Sequence, residues 1–112
     1  MSKYKAKKTF VDGIAFDSRK EASRYKTLKM LERTGQIKEL KLQVPFELQP
    51  SFKWQGKTVR SIKYIADFVY KAKDENGYER LVVEDTKGFK TDVYEIKRKM
   101  FLFKYGFEIT EV

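Results

Sequence analysis

Two aspartates stand where apolar strands would normally continue. Asp67 interrupts the run Tyr64-Ile65-Ala66-Asp67-Phe68-Val69-Tyr70, and Asp85 closes Leu81-Val82-Val83-Glu84-Asp85 just ahead of Thr86 and Lys87. Side chains alternate along a strand, so Asp85 and Lys87 share one face while Glu84 and Thr86 share the other. A hairpin through the turn at Asn76-Gly77 would set Asp67 beside Asp85. Two neighbouring carboxylates are hard oxygen ligands for Mg²⁺, or for Mn²⁺ in its place, and an adjacent ammonium such as Lys87 can orient or help deprotonate a water.

The pattern of acid, any residue, Lys is cheap in so charged a chain. It also occurs at Glu39-Leu40-Lys41 and Glu95-Ile96-Lys97. Context singles out Asp85-Thr86-Lys87: Glu95 and Lys97 fall in a predicted helix, where that spacing does not share a face, and Glu39 has no acidic strand partner upstream. Glu84 points away from Asp85, and the expectation is that it pairs with Lys or Arg from a flanking element rather than binding metal.

The elements that must position these residues follow from turns and periodicity. Asp12-Gly13 supplies a tight turn between two short strands within Thr9 to Asp17. Ser18-Arg19-Lys20-Glu21 fits a capping box that opens a helix carrying Ala22, Tyr25, Leu28 and Leu31, with Gly35 as its stop. Leu40, Leu42, Val44, Phe46 and Leu48 alternate as a strand, and Pro45 within it argues for an edge position or a bulge. A hairpin at Gln55-Gly56 feeds a long strand, Val59 to Lys71, with Ile62, Tyr64, Ala66, Phe68 and Tyr70 on one face. After the strand Tyr78 to Lys87, Thr91 or Asp92 caps a second helix whose apolar stripe is Val93, Ile96, Met100 and Phe103; a strand from Phe107 ends the chain. The order ββ-α-ββββ-α-β predicts one α/β domain over residues 1–112, with residues 1–8 a basic, flexible tail.

Composition limits the chemistry. The chain has 112 residues, 25 basic and 16 acidic, a net charge of +9, and neither Cys nor His. Thiol nucleophiles, structural zinc sites and histidine-based triads are therefore excluded, which leaves Asp, Glu, Lys, Arg and Tyr for acid, base and metal work. Aromatic residues at 15% are too many for a disordered polycation. The positive balance favours a polyanion as partner. Nucleic acid suits it better than an anionic membrane surface, because no helix pairs a wide apolar face with a purely basic one. No apolar stretch follows the basic opening Met1 to Lys8, so the expectation is a soluble, cytoplasmic protein with no membrane partner.

Asp67, a hairpin, then Asp85-Thr86-Lys87 at the end of an apolar strand resembles the PD-(D/E)xK signature of restriction-endonuclease-like nucleases, with Ala66 in place of the proline. The segments Thr9 to Glu21, Gln43 to Pro50, Tyr64 to Tyr70 and Val82 to Asp92 are similar to a family of small phage and prophage proteins placed in that superfamily. The resemblance implies a central mixed sheet flanked by two helices, with an N-terminal β-hairpin. It further implies Mg²⁺-dependent hydrolysis of DNA phosphodiester bonds, structure-selective in the manner of a Holliday junction resolvase, by a homodimer in a bacterial host cell. Asp67 and Asp85 would bind the metal and Lys87 would position water. Related nucleases add an acid from the first helix, and Glu21 matches it; the other reading of Glu21 is a plain helix cap. The alternative function is a nucleic-acid-binding or host-enzyme-inhibiting module without turnover.

For phosphate contacts the candidates are Lys7 and Lys8 in the tail, Lys20 at the first helix, and Lys90, Lys97 and Arg98 around the second. Tyr4, Trp54 and Tyr94 could stack on unpaired bases, although aromatics are more often core or surface filler.

Overall fold

The computed structural model describes residues 8–112. Lys7 and most of the expected tail lie outside that range. Strands β1 (Thr9–Val11) and β2 (Ile14–Phe16) form an antiparallel hairpin. Its turn residues, Asp12 and Gly13, have φ of +53° and +75°, the pair of positive angles that matches the twist of the flanking strands. Helix α1 (Arg19–Arg33) starts at Ser18, whose side chain accepts from the Glu21 N–H at 3.1 Å. Tyr25 Oη donates to Asp12 and so ties the hairpin to the helix.

The strands β3 (Ile37–Gln49), β6 (Ile62–Lys73), β7 (Glu79–Asp85) and β8 (Thr110–Glu111) make the central sheet in the order β3-β6-β7-β8. The β7–β8 pair is parallel and the others antiparallel, so the sheet is mixed, as expected. Pro45 lies in β3, an edge strand, where its missing N–H costs no ladder bond to a further neighbour. Between β3 and β6 stands a separate ribbon, β4 (Phe52–Trp54) with β5 (Lys57–Val59). The expected strand from Val59 is therefore two strands, divided at Arg60-Ser61, and five strands rather than four separate the helices. Helix α2 (Asp92–Tyr105) runs from a Thr91 cap to Gly106 at φ +80°. Among the described residues no helix is long and apolar enough to cross a membrane.

Each face of the sheet carries an apolar cluster. On the α2 side Tyr64, Ala66, Val69 and Val83 pack with Tyr94, Phe101 and Ile109. On the α1 side Phe68 and Tyr70 pack with Phe16, Tyr25 and Leu28. The expectation of one continuous face through Tyr64, Ala66, Phe68 and Tyr70 is thus corrected: the first two and the last two point to opposite sides. β3 switches in step, with Leu40 and Leu42 toward α1 but Val44 and Phe46 toward α2. At the switch Gln43 has φ +53°, and Gln43 and Asp67 drop out of a ladder that resumes on either side of them. Gln43, like Glu39 earlier in β3, is left-handed, and such a residue turns over the side chains beyond it in its own strand, which period-two reading cannot foresee.

The second correction concerns α2. Its buried residues are Tyr94 and Phe101, whereas Val93, Ile96 and Phe103 of the expected stripe are 61%, 58% and 93% exposed. Only Met100 of that stripe packs against the core. Two overlapping apolar rows exist on this helix, and the aromatic row won the sheet because it fills more volume per residue.

Candidate functional site

The site forms where the sheet opens. The β6–β7 ladder ends with Phe68 opposite Glu84, and Asp67, the next residue of β6, bonds to Thr86 just past the end of β7. There the strands part: β7 finishes at Asp85 and pairs on its other side with β8, leaving the first half of β6 to β3 alone.

Each acid at this fork is held by its own donors. Asp67 Oδ2 accepts from both the backbone N–H and the hydroxyl of Thr86, each at 2.8 Å. Asp85, 1% exposed, accepts from the Lys87 N–H at 2.9 Å and from Tyr64 Oη at 2.8 Å. Lys87 Nζ stands 3.8 Å from Asp85 Oδ2 and 5.0 Å from the centre of the Tyr94 ring, so the ammonium is lodged between a carboxylate and an aromatic face. Burial pushes the Asp85 carboxyl above its ordinary range, with the Asp67 charge adding to it and the Tyr64 hydrogen bond opposing it.

Glu21 enters from the first turn of α1. The cap is half formed, because Ser18 accepts from the Glu21 N–H while the Glu21 carboxylate accepts from Gln43 Nε2 at 3.1 Å. That same amide approaches Asp67 Oδ1 at 3.5 Å and so links the two acids. Burial, then the charges of Asp67 and Asp17 and, more weakly, Asp85, raise the Glu21 carboxyl to about 7. Gln43, Tyr64 and Thr86 are participants that the sequence alone did not flag. In the sequence each reads as part of a plain strand, and only the positive φ of Gln43, a costly conformation for a side chain with a Cβ, marks it.

Glu84 takes no part in the fork. It is 0% exposed on the α1 side, where Arg24 donates to it in a fork-to-fork pair at 2.7 and 2.6 Å and Tyr70 Oη donates as well. The arginine partner is the one expected of a flanking element.

The basic candidates divide. Lys8 pairs with Asp17, Lys90 with Glu111, and Arg98 with Glu95. Lys97 and Lys20 have no acidic partner among the described residues. Lys97 lines a cleft with Tyr64, Lys87 and Tyr94, and Lys20 lines another with Arg24 and Thr86, so one faces each side of the fork.

The donor set is all oxygen, which suits a hard divalent cation. Asp67 Oδ1 and both oxygens of Asp85 keep lone pairs beyond the bonds they accept, and a cation would offset both the burial that chiefly raises Glu21 and Asp85 and the mutual repulsion that adds to it. Among the described residues, however, no three acids converge closely enough to enclose a metal by themselves.

Architecture and site together define an α/β protein that couples three acids and a lysine at the open end of a mixed sheet. The chain belongs to DUF1064, a family of proteins of unknown function, whose model matches residues 1–110. No curated protein and no solved structure matches it.

Proposed function

We propose that this protein is a Mg²⁺-dependent endonuclease of the PD-(D/E)xK type acting on DNA, with branched or unpaired DNA as its substrate. The observation that carries the reading is the cluster at the fork: Asp67 accepts two bonds from Thr86, the residue after Asp85, Lys87 Nζ stands 3.8 Å from Asp85, and Glu21 feels the charges of both aspartates. Asp67 and Asp85 would hold the cation, with Mn²⁺ able to replace Mg²⁺. When bound, it supplies charge neutralisation at the phosphate and a more acidic water. Lys87 would orient an attacking water, while Tyr64 and Thr86 fix the two aspartates. Lys20 and Lys97, one on each side, draw the backbone toward the fork.

A homodimer fits this reading, since cutting two strands is simplest with two sites related by a two-fold axis. The outward row of α2 supports it. Val93, Ile96 and Phe103 are exposed and, with the half-buried Met100 between them, follow the three-four spacing of a helix-pairing seam.

The test is incubation of purified protein with labelled duplex, flapped, single-stranded and four-way DNA in Mg²⁺, Mn²⁺ or chelator. Metal-dependent cleavage that is lost in Asp85→Asn and Lys87→Ala, with DNA binding kept, is the expected result. Binding without cleavage in any metal would instead make the chain a nucleic-acid-holding or enzyme-inhibiting module.

A further inference from the structure

The ribbon β4–β5 serves neither the core nor the fork. It pairs only with itself, and Phe52, Trp54 and Val59 are exposed, Trp54 by 65%. Register sets Phe52 opposite Val59 and Trp54 opposite Lys57, so these four side chains share one face, while Lys53 and Thr58 bond to each other on the other. The turn Gln55-Gly56, with φ of +49° and +77°, makes this a tight hairpin held by its own backbone. A two-stranded ribbon alone is marginal in water, and holding a Trp and a Phe out to solvent gains it nothing within the chain.

Its charge is one-sided. From Leu48 to Ala66 the sequence has no acidic residue and four basic ones, Lys53, Lys57, Arg60 and Lys63; none forms a salt bridge among the described residues, and only Lys63 has an acid, Glu47, across the ladder. Flat aromatic faces among unopposed cations are the chemistry of a nucleic-acid strand: every base offers a π-face and every phosphate a charge. A protein partner would be poorly matched by so many uncompensated lysines. The ribbon's root also lies close to the site. Asp67 and Ile62 belong to the same strand, and at about 3.3 Å per residue they are roughly 17 Å apart, about five nucleotides of one strand.

We infer that the β4–β5 ribbon is a strand-binding arm that stacks an unpaired base of single-stranded DNA on Trp54 and holds the flanking phosphates with Lys57, Arg60 and Lys63. The inference rests on the nucleic-acid reading above and adds a binding site outside the fork. It gives the protein a means of selecting DNA that has unpaired nucleotides next to the bond at the fork.

Trp54 is the chain's one tryptophan, so its emission reports on the arm alone. The experiment titrates the full chain in chelator with a labelled single-stranded oligonucleotide, reading tryptophan emission and oligonucleotide anisotropy together, and repeats it with a blunt duplex and with anionic phospholipid vesicles. The single strand should quench the emission by half or more, with one dissociation constant from both readouts, while the duplex quenches little. Trp54→Ala should weaken single-strand binding about tenfold, the lower part of what stacking contributes per base. Trp54→Phe should restore most of that loss, and both variants should keep the wild-type melting temperature. Lys57→Glu with Arg60→Glu should flatten the salt dependence by about 0.7 for each phosphate no longer neutralised. Anisotropy that reports binding while the emission and all variant affinities stay unchanged would overturn the arm and leave the nucleic-acid reading standing. Emission that responds to vesicles and not to DNA would do the same to the arm, in favour of a membrane contact. No anisotropy change with any DNA would overturn the nucleic-acid reading itself, and the arm with it.

Discussion

Glu21 shows how much a single side chain depends on its surroundings. Its carboxyl lies near 7 in the folded protein against an ordinary 4.5, so between these values the native state holds a proton that the unfolded chain has released. Stability from this group is therefore full below about pH 4.5 and is lost as pH rises through about 7. The ionised form costs on the order of 3 kcal/mol at most. Glu21→Gln should melt higher than wild type at pH 8 and close to it at pH 5, as differential scanning calorimetry would report. A wild-type melting temperature that does not fall across that window relative to the variant would mean that Glu21 is solvated. If the acids bind a cation, Mg²⁺ should raise the wild-type melting temperature more at pH 8 than at pH 5, because proton and cation compete for the same oxygens.

At the scale of the element, α1 is joined to the sheet by one buried ion pair as well as by its apolar face. Removing one partner of such a pair leaves the other charge stranded, typically at a cost of about 3–5 kcal/mol. Arg24→Ala should lose about that much in urea or guanidinium unfolding, since Glu84 is fully buried. Arg24→Met combined with Glu84→Leu should recover most of it, and a full loss in the double variant would show that the pair itself, not its stranding, carries the stability. For α2 the expectation concerns its outward face. Ile96→Glu places a charge in the middle of the apolar row and should convert a dimer into a monomer of unchanged secondary structure. Sedimentation velocity checks this, and wild-type protein that sediments as a monomer would remove the helix-pairing reading.

Across the whole molecule the net charge of +9 is less available than its size suggests, because several candidate cations already face acids. Exposed pairs of this kind are weak and can be exchanged for phosphate, yet the unpaired cations should dominate. Log affinity for duplex DNA should fall linearly with log salt, and Lys97→Glu should flatten that line by about 0.9. Arg98→Glu should flatten it less, since Glu95 already holds that guanidinium. The loss should be the same for all sequences, because phosphate contacts carry no base information. Equal slopes for wild type and Lys97→Glu would place the DNA away from the α2 side of the fork.

What the chain determined by itself is what depends on neighbours in sequence. The positive angles at Asp12 and Gly13, the cap at Ser18, the stop beyond α1 and the shared face of Asp85 and Lys87 each follow from local backbone geometry. The α/β class followed from the order of those segments, and the mixed sheet from the resemblance alone. Tertiary structure decided the rest, because it turned on which distant groups compete for a position. Gln43 left its ladder and took the carboxylate of Glu21, for which a local reading left both a helix cap and a site acid open. The aromatic row of α2 displaced the aliphatic one from the sheet, since only the facing cavity, lined by Tyr64, Phe46 and Phe107, shows which row fills it. The pairing of β6 with β7 brings Asp67 to Thr86 beside Asp85, and a one-residue slip would have turned its side chain to the other face.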